Sequence, residues 1–228
     1  MSHETLYNTI DAMPRGKLRK ELIALMRRTQ AKRMPRSRGE ERRGKIVHRD
    51  SIHVRPPKVH DRLFPGRWVA DLIKGQVNAS AVGTRVERST RLLILIALPG
   101  PKPASAATVL QAFTDKLRAI AKPMRQSMTY DQGSEMACHQ DLAANASIAV
   151  YFCDPHSPWQ RGTNENTNGL VRQYLPKGTD LSGYSQERLD AIADEMNNRQ
   201  RKTLNAYSPL EVYRDKLLGH HEALALTP

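Results

Sequence analysis

Three short apolar, β-branched runs follow one another between residues 68 and 98, and after them the chain alternates helical and extended patterns. Residues 68–73, 81–88 and 92–98 read as strands, with Thr90 and Arg91 at a tight hairpin turn between the last two. Pro99 to Pro103 ends that series. Residues 104–121 then carry Val109, Leu110, Phe113 and Leu117 at helical spacing, 128–130 is a short strand, 134–145 a helix and 149–152 a fifth strand. Three strands followed by alternating helices and strands demand a sheet with helices on its faces.

Within the first strand stands Asp71, in the run Val69-Ala70-Asp71-Leu72-Ile73. A carboxylate between apolar neighbours within a strand is costly to bury without a partner or a metal, so Asp71 is a candidate for chemistry. Asp131 closes the fourth strand in Asp131-Gln132-Gly133, a pairing that by itself also suits a simple turn. Glu135, just beyond, suits the first turn of its helix, and Asp154 suits support of the Pro155 turn.

The stretch 154–172 is the most unusual in the chain. Two prolines and Ser157 form a loop, and from about Gln160 the chain can run as a helix. On that helix Arg161, Glu165, Asn168 and Arg172 fall four, three and four apart, on one polar face. Arg161 and Arg172 are candidates to hold phosphates, and Asn164 and Asn168 to position substrate or water. Trp159 reads either as a base-stacking platform or as a packing anchor. His156 reads as structural.

The residues of 151–174, above all Ser-Pro-Trp-Gln-Arg-Gly-Thr-Asn-Glu-Asn and Asn-Gly-Leu, resemble the last catalytic block of bacterial transposases of the insertion sequence 30 family. Met128-Thr129-Tyr130-Asp131-Gln132-Gly133-Ser134-Glu135-Met136 resembles that family's second block. The resemblance covers residues 2–216 and implies an α/β, ribonuclease H-like integrase catalytic core, a mixed five-stranded sheet flanked by helices, with a helical, basic N-terminal arm. It implies a catalytic and metal-binding triad of Asp71, Asp131 and Glu165. The 34 positions from Asp131 to Glu165 match the family's pattern. Phosphodiester transfer of this type uses Mg²⁺ or Mn²⁺, two ions about 3.5 to 4 Å apart on hard oxygen ligands. In a sheet of this kind the first and fourth strands are neighbours, which would bring the two aspartates together.

The resemblance also has departures. Relatives read Trp-Glu-Gly-Asp where this chain has Trp68-Val69-Ala70-Asp71, and a proline where it has Gln200. Ser2-His3-Glu4-Thr5-Leu6-Tyr7 resembles only the closing helix of a helix-turn-helix region, and the family's longer N-terminal DNA-binding region is expected to be missing. The organisation expected is therefore a helical remnant in 1–26, a basic linker in 27–60, the catalytic domain in 61–216 and a frayed tail in 217–228.

The charge of +13 points to a polyanionic partner, and its distribution says where. Residues 1–60 hold 16 Lys and Arg against 6 Asp and Glu, a net of +10, whereas 61–228 hold 20 against 17, a net of +3. Arg27, Arg28, Lys32, Arg33, Arg36, Arg38, Arg42, Arg43 and Lys45 are too dense to pack in a core and are the expected phosphate contacts. The two cysteines, Cys138 and Cys153, make no disulfide framework, and Cys138-His139 has no second pair at zinc spacing. The first residues show no basic segment followed by an apolar one and no run reaches about 18 apolar residues, so neither a leader nor a membrane span is expected. A bacterial cytoplasmic, nucleoid-associated transposase is expected, acting on transposon ends and target DNA as a homo-oligomer. The alternatives are a DNA-binding remnant that modulates a full-length transposase, or a nuclease of the same fold.

Deleting residues 27–45 is expected to weaken binding to transposon ends and to random duplex equally. It should also flatten the salt dependence, whose log–log slope is about −0.9 per phosphate contacted. A competition shift assay over a salt series measures both, and a loss confined to the ends would make the segment a reader of sequence.

Overall fold

The computed structural model describes residues 5, 9, 10, 12–25, 46–56, 64–100, 102–155 and 157–225. The chain divides into two units, Met1–Gly44 and Lys45–Pro228. The smaller contains α1 (Lys17–Leu25), whose Leu18 is exposed although its spacing with Leu22 suggests a buried stripe.

The larger unit is built on one sheet. Its strands are β1 (Arg67–Lys74), β2 (Ala81–Glu87), β3 (Leu93–Ala97), β4 (Ser127–Tyr130) and β5 (Ala149–Phe152), in the order β3-β2-β1-β4-β5. The first three pair antiparallel, and β1, β4 and β5 pair parallel, so the sheet is mixed as expected. The expected β2–β3 hairpin turn is built around Glu87. This buried carboxylate accepts from the backbone and hydroxyls of Ser89 and Thr90, and Arg91 takes a positive φ of 65°.

Side chains alternate across the sheet. On one face Trp68, Ala70, Leu72, Met128 and Tyr130 pack against α2 (Ala106–Arg118) and α3 (His139–Ala146), with Val109, Phe113, Leu117 and Leu142 filling the layer. Phe113 lies so close over Gly83 that a β-carbon there would stand 2.6 Å from its ring. On the other face Ile73, Val82, Val86, Leu93 and Leu95 meet α4 (Gly162–Val171) and α5 (Gln186–Asn198). This is a three-layer α/β/α arrangement in which α2 and α5 are placed by apolar stripes, whereas α4 buries Thr163, Asn164, Thr167 and Val171. The last helix, α6 (Pro209–Ala225), starts on a reciprocal cap: Glu211 N donates to Ser208 Oγ at 3.3 Å and Ser208 N to Glu211 Oε2 at 2.7 Å. It continues past Gly219, so the tail expected to fray is helical to Ala225. No helix among the described residues is long and apolar enough to cross a membrane.

Both sheet edges are covered. At β5, Phe152 N donates to Asp50 O at 2.8 Å, and Ser51 bridges Phe152 in parallel. The segment 46–55 thus belongs to the folded unit, with Ile46 and Ile52 buried, although it falls within the stretch expected to be linker. The dense positive charge that suggests a linker stops at Lys45, and the isoleucines beyond it have somewhere to go. At β3, Leu93 N donates to Asn197 Oδ1 and Asn197 Nδ2 to Leu93 O, both at 2.8 Å. Gln186 does the same for Ala97 N and Leu95 O at 2.9 and 3.0 Å. Two amide side chains of α5 thereby occupy the free edge that would otherwise template association.

Asn197→Ala leaves a buried N–H and a buried C=O of Leu93 without partners. It is expected to cost about 2 to 3 kcal/mol in urea denaturation at neutral pH, with the slope of the transition unchanged.

Candidate active site

β1 and β4 align in parallel with Arg67 opposite Ser127 and Val69 opposite Thr129. Extending that register two residues sets Asp131 abreast of Asp71, so the two aspartates are neighbours because their strands are. Asp71 lies on the same face as Val69 and Ile73, beneath the start of α4. A 3₁₀ turn, Pro158–Arg161, leads into that helix, and Arg161 is its final residue.

The Arg161 guanidinium stands between the aspartates, Nη1 at 3.3 Å from Asp71 Oδ2 and 3.5 Å from Asp131 Oδ2. Both contacts are long, and Nη1 makes no hydrogen bond of good geometry. Asn168 Nδ2 reaches Asp71 Oδ2 at 3.4 Å, and Leu72 N donates to Asp71 Oδ1 at 2.9 Å. Asp131 Oδ1 accepts from Gly133 N at 3.2 Å, the turn geometry that its sequence also suggested.

Burial pushes the Asp71 carboxyl up to about 6; Arg161 works against this, and the negative charges of Asp131 and Glu135 add to it. Burial disfavours the Arg161 charge as well, but Asp71 and Asp131 outweigh it and hold the guanidinium protonated. Tyr130, fully buried behind them, is raised well above the usual phenol range by burial and by Glu135, Asp71 and Asp131. Desolvation is thus the leading cause at Asp71 and at Tyr130, and Arg161 only partly offsets it. Cys153 is no nucleophile, since burial lifts its thiol to about 11.

Glu165 lies in the first turn of α4, one helical turn beyond Arg161. It is exposed and accepts no hydrogen bond among the described residues. Among the described residues no three His, Cys, Asp or Glu side chains form a group that could hold a metal as they stand. Two of the three expected carboxylates are thus brought together, and the third stands off on the adjoining helix.

The other expected contacts sort differently. Arg172 donates from Nη1 to Leu175 O at 3.3 Å and from Nη2 to Lys74 O at 3.2 Å, tying its helix to the end of β1. Trp159 is 74% exposed, which removes the packing-anchor reading. Asn164 is wholly buried, its amide unpartnered among the described residues. Arg27, Arg28, Lys32, Arg33, Arg36, Arg38, Arg42, Arg43, Lys45 and His156 lie outside the described residues.

Other residues beside the site are fixed by contacts that no local pattern signals. Glu135 is buried rather than set on a solvated first turn, its carboxylate so close to Gly133 that any side chain there would collide with it. Asp154 is held below the usual carboxylate range by hydrogen bonds from Gln160 and His53. Arg55, from the stretch expected to be linker, is buried and donates to Thr129 Oγ1 at 3.0 Å.

No protein-family model matches the chain. It is 62% identical over 224 residues to the transposase for insertion sequence element IS1086 of Cupriavidus metallidurans, an alignment covering 98% of this chain and 65% of that protein. With transposase InsI for insertion sequence element IS30A of Escherichia coli the identity is 42% over 215 residues, covering 93% and 55%. With the transposase for insertion sequence element IS4351 of Bacteroides fragilis it is 37% over 227 residues, covering 99% and 67%. The chain therefore spans between about half and two thirds of these curated relatives. Among solved structures, the catalytic core domain of BIV integrase superposes with a TM-score of 0.50 at 16% identity, covering 68% of this chain and 98% of that one. The likeness establishes the expected fold, an integrase catalytic core of the ribonuclease H-like class.

A carboxyl held at about 6 in the folded state binds its proton more tightly than in the unfolded chain, so folding loses stability as pH rises from about 4 to about 6. Each tenfold gain in proton affinity is worth roughly 1.4 kcal/mol, so Asp71 should cost on the order of 2 to 3 kcal/mol by neutral pH. Urea denaturation in EDTA across that range should show the decline in the wild type and a flatter profile in Asp71→Asn.

Proposed function

Since the chain belongs to the insertion sequence 30 family of transposases, we propose that its larger unit is the catalytic part of a metal-dependent DNA transposase. It cleaves at transposon ends and joins the freed 3′ hydroxyl to target DNA. The observation that carries this reading is the convergence of Asp71 and Asp131, from adjacent parallel strands, on a single cationic group.

The residues fit a divalent cation. The Arg161 guanidinium is a stand-in positive charge between two hard oxygen donors, and burial holds the Asp71 carboxyl at about 6 in spite of it. Asp71 and Asp131 would hold Mg²⁺ or Mn²⁺, two ions in the active form, with Glu165 supplying the third carboxylate from α4. When bound, such ions supply positive charge at the reacting phosphate and a lowered pKa for the attacking oxygen.

The chain's own groups do the positioning. Asn168 orients Asp71 through its carboxamide, and Arg172 fixes the α4 exit to Lys74, so that the face bearing Glu165 keeps its place over β1. Arg161 faces the reacting strand and is the near donor to a phosphate oxygen. The basic run from Arg27 to Lys45 holds the duplex through phosphates without reading bases. Synapsis of two ends requires at least two copies, so the working form is a homo-oligomer on nucleoid DNA in the bacterial cytoplasm.

Glu165→Gln removes a metal ligand and no phosphate contact. It is expected to abolish joining of a pre-cut end oligonucleotide to plasmid DNA in Mg²⁺, while duplex affinity changes less than about twofold. Undiminished joining would remove Glu165 from the triad, and cutting without joining by the wild type would favour a nuclease.

A further inference from the structure

The cleft beside the aspartate pair is not used by the proposed chemistry. Its volume is about 340 Å³, and its walls include Val69, His53, Arg55, Arg88, Trp159 and Gln160. Val69 and Asp71 share a face of β1 two residues apart, roughly 7 Å along the strand. Gly162 and Thr163 of α4 close the other side, immediately after the Arg161 that bridges the aspartates. Whatever fills the cleft therefore adjoins the reacting phosphate.

Its chemistry is specific. Arg55 and Arg88 are 4% and 9% exposed, and both line the cleft. Arg55 spends Nη1 on Thr129, while its Nε has no hydrogen-bond partner and no carboxylate pairs with it among the described residues. A buried cation with a spare donor is ordinarily matched by an anion. The remaining titratable wall group, His53, is engaged with Asp154 Oδ2 at 2.7 Å and does not compete. At the edge stands Trp159, an exposed indole with an uncovered face.

We propose that this cleft seats one unpaired nucleotide of the DNA strand next to the reacting phosphodiester, its phosphate on Arg55 and its base stacked on Trp159. The base must be unpaired, because a base within the duplex has both faces covered by its neighbours. The proposal rests on the transposase reading and adds a strand-opened end as the preferred substrate form.

Trp159 allows a direct test, because the other tryptophan, Trp68, is 1% exposed and Trp159→Ala leaves the core untouched. A hairpin duplex with a two-nucleotide 5′ overhang bearing 2-aminopurine is compared with the same hairpin made blunt, using the full chain at fixed Ca²⁺. The overhang should bind about tenfold more tightly, in the range of one base stacked on an aromatic ring, with its 2-aminopurine quenched. Trp159→Ala should lose the preference and the quench but keep blunt-duplex affinity, and Trp159→Phe should recover most of both. A methylphosphonate at the overhang linkage should also reduce the preference, by removing the charge that Arg55 holds. Equal affinity for blunt and overhang duplexes, or an unchanged preference in Trp159→Ala or with the methylphosphonate, overturns the proposal and leaves the transposase reading standing. Failure to bind either duplex overturns both.

Discussion

Two carboxylates forced side by side at the middle of a sheet are the constraint around which this molecule is arranged. β1 and β4 are parallel neighbours, and each delivers an aspartate to the same level. Burial and mutual repulsion make that pair unfavourable unless a cation intervenes, and in this structure the cation is Arg161. The contacts are long and purely electrostatic, so the guanidinium satisfies the charge without locking the site. A site that tolerates such a pair in the folded state gives up stability for function, and the surrounding sheet has to supply it.

That supply comes from the way the sheet is finished. A five-stranded sheet with two free edges would be prone to pairing with other chains. Here α5 clips the β3 edge with Asn197 and Gln186, and the segment 46–55 lies along β5. The β5 edge and the candidate site are thereby linked. The segment that covers Phe152 also contributes His53 and Arg55 to the cleft beside Val69, so one stretch of chain both closes the sheet and lines a cation-rich pocket.

Much of the fold is legible from hydrophobic period alone. Val69-Ala70-Asp71-Leu72-Ile73 reads as a strand, and Leu189, Ile192, Ala193 and Met196 repeat at helical spacing; both patterns sit where the core requires them. Asp71 is conspicuous because a lone carboxylate in an apolar strand has few structural uses. Glu135 is inconspicuous because an acid early in a helix has an ordinary explanation, and only the fold shows that it is buried against Gly133. Arg172 shows the opposite: helical spacing sets it on the face of Glu165, yet its donors are spent on the carbonyls of Lys74 and Leu175.

Local chemistry thus determined the strands, the helices, the carboxylate candidates and the excess positive charge of the first sixty residues, because propensity, period and charge are properties of neighbouring residues. Tertiary structure alone decided that Arg161 stands between Asp71 and Asp131, that Glu165 is held apart from them, and that residues 46–55 join the sheet. Each of these depends on which groups meet across a distance of tens of residues. Such meetings are set by strand order and packing, which no local pattern encodes.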